Sequence, residues 1–207
     1  MFKEKEILVL ILALIVLSFS YSFTNAQKFL HGLIYFSIVL FVYVIGKKLT
    51  AYYYEVQEEE KIWTFQRYGL YERSYFKKPI PIGIVLPFLV SVLSYGKLFW
   101  LAVIESEIEP RPERAAKRHD YYSFSEITEY HLAMISASGI FFCLLLSLFA
   151  YIINFEELAK LSLYFASFNL LPTGRLDGSR IFFGSRVLYA TLVIITLIVL
   201  GYSLLLV

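Results

Sequence analysis

Apolar residues in this chain come in long unbroken runs, not in the narrow stripe of an amphipathic surface helix. Four runs, Ile7 to Phe23, Phe29 to Ile45, His131 to Ile153 and Val187 to Leu206, are each near the length that crosses a bilayer core. Two weaker runs, Pro79 to Ile104 and Leu158 to Leu171, bring the expected count to about five to six transmembrane helices. Polar sequence is confined to two insertions, 47–78 and 105–129. Within the weaker run at 79–104, Pro79, Pro81 and Pro87 disrupt helix and Gly96 marks a break, while Leu98 to Glu109 reads as a strand with Glu105, Glu107 and Glu109 alternating on a solvated face. The pattern predicts an α-helical polytopic membrane protein with a re-entrant or β element between the second and third core spans. It forms one membrane domain over 1–207, with its core at 29–206 and an extra N-terminal span at 7–23.

Composition agrees with this class: 58% of the 207 residues are hydrophobic and 18% aromatic, and the mean hydropathy is +0.65. A net charge of +2 gives no basis for a nucleic-acid partner. The single cysteine, Cys143, can form neither an internal disulfide nor a cysteine zinc site. The N-terminal run could pass for a signal peptide, but Ser20-Tyr21-Ser22-Phe23 is a poor cleavage site, so a retained span is expected. Cations cluster after the second span (Lys47, Lys48, Lys61, Arg67), at Arg111 to Arg118 and after Leu171, which places those segments in the cytoplasm by the positive-inside rule. The segment Glu55 to Tyr68 reads as a cytoplasmic hairpin or interfacial ribbon, and Glu109 to Tyr122 as an exposed mobile loop.

One stretch carries candidate chemistry. Phe168-Asn169-Leu170-Leu171-Pro172-Thr173-Gly174-Arg175-Leu176-Asp177-Gly178 sets a lone carboxylate at a Pro/Gly break after an apolar run, and an acidic residue at membrane depth is costly and usually functional. Taken alone, leucine-aspartate-glycine is also an ordinary turn, with Asp177 capping a helix and Gly178 at positive φ. The whole stretch resembles the motif of the site-2 protease family of intramembrane zinc peptidases, in which this aspartate is the third metal ligand. The family's His-Glu-x-x-His motif does not occur here. Lys48-Leu49-Thr50-Ala51 is similar to the continuation of that motif in archaeal-type members. In that register Tyr43 stands at the first histidine position, Val44 at the catalytic glutamate and Lys47 at the second histidine. Ala137-Ser138-Gly139-Ile140-Phe141-Phe142-Cys143 is similar to a substrate-binding segment, with Cys143 in place of its final asparagine.

The resemblance implies a degenerate member, a pseudoprotease with Asp177 as a vestigial ligand. Valine cannot take a proton from water, and a protonated lysine offers no lone pair to zinc. Asn169, Pro172, Leu176, Gly178, Gly139 and Cys143 would form the motif and substrate groove. No catalytic residue and no cofactor are expected, zinc entering only if the chain is instead an active metallopeptidase with non-standard ligands. The implied setting is the plasma membrane of a prokaryote, with the motif side cytoplasmic. The implied partners are the lipid bilayer and a membrane protein or transmembrane segment, the strand edge at Leu98 to Glu109 accepting an extended peptide. A structural subunit of a membrane complex is the remaining alternative.

Two readings of Lys47 follow. Its ammonium either replaces the divalent ion and pairs with Asp177 within about 4 Å, or it snorkels to the interface beside Lys48 while Arg175 or Arg180 takes the carboxylate. Among the histidines, His31 is an isolated interfacial or packed group three turns from Tyr43, His119 lies in a charged loop, and His131 opens a span.

Overall fold

The computed structural model describes residues 4–23, 25–67, 75–111 and 127–206. Helix α1 (Glu4–Tyr21) leads into α2 (Ala26–Tyr53), followed by strands β1 (Val56–Ile62), β2 (Phe65–Arg67) and β3 (Tyr75–Ile80). Helix α3 (Ile82–Leu93) and strand β4 (Ile104–Pro110) precede four helices: α4 (Glu129–Ile152), α5 (Glu156–Asn169), α6 (Asp177–Gly184) and α7 (Arg186–Leu206). Polar caps interrupt the apolar runs and set where the long helices start. The Asn25 side chain accepts from the N–H groups of Gln27 and Lys28 to open α2, and Thr128 caps α4 in a box with His131.

Among the described residues three helices are long and apolar enough to cross a bilayer: α2, α4 and α7 up to Ser203. The expected five to six spans are not reached. Helix α1 has three charges in its first turn, Glu4, Lys5 and Glu6; α3 has 12 residues and α5 has 14. Of the three long helices, α2 and α4 bury 39% and 44% of their apolar window, whereas α7 buries 11%. The first two therefore form the centre of the protein, and α7 turns most of its surface outward.

Helices α2 and α4 pack closely because small residues face each other. A Cβ on Gly139 of α4 would come within 2.9 Å of both the Lys47 and Tyr43 side chains of α2. Any larger residue there would push the helices apart at that level. The Ser138 hydroxyl, in the same turn, donates to the Gly46 carbonyl at 3.1 Å. Above this contact lies the main core, which includes Phe36, Tyr43, Val44, Ile140, Cys143, Phe165 and Leu170.

The strands form two separate antiparallel pairs. β1 pairs with β4, Glu60 facing Ser106 and Ile62 facing Ile104, and β2 pairs with β3. The expected hairpin over Glu55 to Tyr68 is thus replaced by a long-range pairing, since β1 lies beside a strand more than 40 residues further on. The expected strand from Leu98 begins only at Ile104, although Val103 already accepts from the Trp63 N–H at 2.9 Å. Within 79–104, Pro87 sits inside α3 instead of breaking it, while Pro81 occupies the N-cap position. Residues 112–122 of the expected mobile loop, and His119, lie outside the described residues.

Candidate functional site

Tyr43 and Lys47 lie one turn apart on α2, so their side chains project from one face. That face meets the start of α6, where the carboxylate of Asp177 is waiting. Asp177 does not cap α6: Leu176 holds the N-cap position in extended conformation, and Asp177 is the first helical residue. Its carboxylate is turned into the protein and is 2% exposed. Gly178 allows this approach, because a Cβ there would collide with the Leu170 and Leu171 carbonyls. The positive φ of the turn belongs to Gly174, at 58°, and not to Gly178.

Every acceptor direction of the Asp177 carboxylate is used. Oδ2 accepts from the Tyr43 hydroxyl and from Lys47 Nζ, the latter at 2.7 Å. Oδ1 accepts from the Ser136 hydroxyl at 3.0 Å and the Ser106 hydroxyl at 3.4 Å. The ammonium of Lys47 is equally saturated. Its three protons face Asp177 Oδ2, Glu60 Oε1 at 2.8 Å and Ser106 Oγ at 2.5 Å. The same nitrogen stands 4.1 Å from the centre of the Tyr43 ring, over its negative face. Burial alone would raise the Asp177 carboxyl; Lys47, the Tyr43 hydroxyl and Arg180 outweigh it and hold the group below the ordinary aspartate range.

Of the two readings of Lys47, the structure has the ion pair. Lys47 is not a loop cation reaching for the interface, as the counting of cytoplasmic charges assumed, but a fully buried residue of α2. Burial is possible because β1 and β4 bring Glu60 and Ser106 over the end of the helix. Arg180 turns aside and donates to the Ser106 main-chain carbonyl.

The other motif residues divide by position. Gly139 lies directly against Tyr43 and Lys47. Val44 and Cys143 belong to the adjoining core, Leu176 packs with Trp63 and Ala102, and Asn169 is buried with its amide donating to the Phe165 carbonyl at 2.9 Å. Pro172 is exposed, as is His31, which lies against Tyr35 on α2.

A second buried cluster adjoins the first and was not anticipated. Glu58 and Glu60 share the inward face of β1 with Val56 and Ile62. Lys48 Nζ lies 2.7 Å from Glu6 Oε1 of α1 and 3.8 Å from Glu58 Oε2, and Glu6 also accepts from the Glu60 N–H at 3.4 Å. Burial and the neighbouring Glu60 push the Glu58 carboxyl well above the ordinary range. On β4, Glu105 is buried, not solvated, and accepts from the Thr64 hydroxyl at 3.2 Å. The signal for β1 was present, since Val56, Glu58, Glu60 and Ile62 have one parity and a strand with apolar ends on one face carries its middle residues to the same side. Ser136 and Ser106 gave no such signal, being unremarkable serines in their segments.

Zinc does not fit this donor set. Among the described residues no three histidine, cysteine, aspartate or glutamate side chains converge as metal ligands, and the direction a metal would occupy at Asp177 is filled by an ammonium group. Compared with family models, with curated proteins and with solved structures, the chain matches none of them.

Proposed function

We propose that this chain is a catalytically inactive homologue of the site-2 proteases, a pseudoprotease of the prokaryotic plasma membrane that holds a membrane-protein partner without cutting it. The observation that carries the reading is the meeting of Tyr43 and Lys47 with Asp177. These are the positions that the motif register equates with the three zinc ligands, separated by 134 and 130 residues in sequence yet joined in one buried cluster. Tyrosine and lysine at those positions exclude a divalent cation by occupying its place with a monovalent one. Val44, at the general-base position, is packed in the core and has no proton-accepting atom.

Binding without cleavage has a surface available to it. Across an antiparallel pair, successive residues point their main-chain groups alternately toward and away from the partner strand. The Glu60 N–H and the Ser106 carbonyl point outward, to Glu6 and Arg180 respectively, so β4 turns its outer edge toward α6. An extended segment adding to that edge would replace Arg180 at the Ser106 carbonyl. The motif side would be cytoplasmic, and the outward apolar surface of α7 would face lipid or a partner helix.

The test uses the full chain in proteoliposomes with a single-pass transmembrane segment containing helix-breaking residues. The reading predicts that the segment stays intact and is retained when the chain is re-isolated. Cleavage that a chelator abolishes would contradict it and favour an active peptidase.

A further inference from the structure

A cavity of about 320 Å³ lies between α4, α5 and α7, at the opposite end of α4 from the Asp177 cluster. Ser136, which donates to Asp177, and Tyr151, which lines the cavity, stand about 22 Å apart along the helix. Two of the three walls, α4 and α7, are long and apolar enough to cross a bilayer. The short turn between α4 and α5 sends α5 back antiparallel to α4, so the end of α4 and the start of α5 share one level. Tyr202 brings the end of α7 to the same level, its hydroxyl 2.9 Å from that of Tyr151.

The lining is polarised along these helices. Its floor is apolar: Ala159 and Leu163 are buried, and the hydroxyl of buried Ser147 is spent on the Ala159 carbonyl at 2.8 Å. Ile198 of α7 continues this surface one turn inward from Tyr202. Toward the helix ends the residues turn polar, with Tyr151, Tyr202 and Glu156 at the mouth and Lys160 reaching back one turn toward Glu156. The bond between the two tyrosines uses one hydroxyl proton and leaves the other to donate outward. Lys160 Nζ stands 3.9 Å from Glu156 Oε2, beyond hydrogen-bonding distance, and the two side chains are 32% and 62% exposed. The mouth thus presents an accessible cation and an accessible anion that hold each other only loosely.

An apolar slot that ends in a cation, an anion and a hydroxyl donor has the polarity of a zwitterionic phospholipid. An acyl chain can lie along Leu163 and Ile198, while the mouth meets a phosphate and an ammonium separately. Tyrosines at the mouth suit the headgroup level of a bilayer. A passing helix would cover the apolar walls but gives no reason for the paired charges at their end.

We propose that the cavity between α4, α5 and α7 binds one zwitterionic phospholipid of the bilayer, its phosphate received by Lys160 and its ammonium by Glu156. The site requires only that α4 and α7 cross a membrane and is independent of the pseudoprotease reading.

The experiment is native mass spectrometry of the full detergent-purified chain, titrated separately with phosphatidylethanolamine, phosphatidylglycerol and diacylglycerol of the same acyl chains. One phosphatidylethanolamine per chain is expected, at a concentration about tenfold or more below that needed for either other lipid. Lys160→Gln should weaken its retention by about tenfold, the loss of one charge-assisted contact. Glu156→Gln should erase the preference over phosphatidylglycerol and leave diacylglycerol the weakest of the three. Both substitutions fall on accessible side chains, so the thermal midpoint should stay that of the unaltered chain. Equal retention of the three lipids, or indifference to both substitutions, would reduce the cavity to ordinary lipid contact and overturn the site. A chain dimer that retains no lipid and that phosphatidylethanolamine does not disperse would also overturn it, giving the slot to a second copy.

Discussion

Asp177 and Glu58 are both buried carboxylates, and they stand in opposite situations. Asp177 receives four donors from two helices and a strand, whereas neither carboxylate oxygen of Glu58 accepts a hydrogen bond, its nearest cation Lys48 stands 3.8 Å away, and a second carboxylate lies beside it. Burial does not decide the state of an acid; the donors that the fold aims at it do. Two adjacent clusters sharing the same short stretch of α2 are thereby given opposite responses to pH and to mutation.

The largest expected effect comes from breaking the saturated half. Lys47→Met leaves Asp177 and Glu60 without their shared cation and should cost about 3–5 kcal/mol, seen as a large fall in the thermal midpoint of the detergent-purified chain. Adding Asp177→Asn and Glu60→Gln to Lys47→Met should recover much of that loss. A Lys47→Met midpoint equal to that of the unaltered chain would show that the cluster is not held by charge. Next in size, Ser136→Ala removes one donor to a charged acceptor and should cost about 1.5–3 kcal/mol, measured by the same unfolding transition.

The under-partnered half should respond in the other direction. Glu58→Gln keeps the shape and removes a burdened charge, so at neutral pH it should stabilise the chain by about 1 kcal/mol. Destabilisation would mean that Glu58 has a donor after all. The pH response is the finest discriminator. The Asp177 carboxyl is held low, so its contribution is present above the ordinary aspartate range, about pH 4, and is lost as pH falls below it. The Glu58 carboxyl is held high, so its cost is present at pH values above its folded-state range and is relieved as pH falls. The thermal midpoint should therefore rise on mild acidification from neutral and then fall in stronger acid. Glu58→Gln should abolish the rise and keep the fall.

Much of this contrast could be read before the fold. Long apolar runs located α2, α4 and α7, and the Pro/Gly break located the loop that delivers Asp177. One reading of Lys47 already placed it on that carboxylate, since a charge at such depth needs an opposite charge. The under-partnered half was hidden for a different reason. Which strand covers the end of α2 depends on the pairing of β1 with β4, a contact between segments more than 40 residues apart that local pattern does not report. Without it, Glu58 and Glu60 look like solvated charges, and Glu105 looks like one of three exposed acids. Three described helices stand where five to six spans were expected for a local reason, as apolar stretches that are short or open with charges still give a hydrophobic signal.

On the proposed pseudoprotease reading, the Lys47 ammonium, 2.7 Å from Asp177 Oδ2, holds the position of a metal. Elemental mass spectrometry of the detergent-purified full chain after dialysis against zinc, beside an Asp177→Ala control, tests it most directly. Neither protein is expected to hold stoichiometric zinc. One zinc per chain, lost in the Asp177→Ala control, would contradict it.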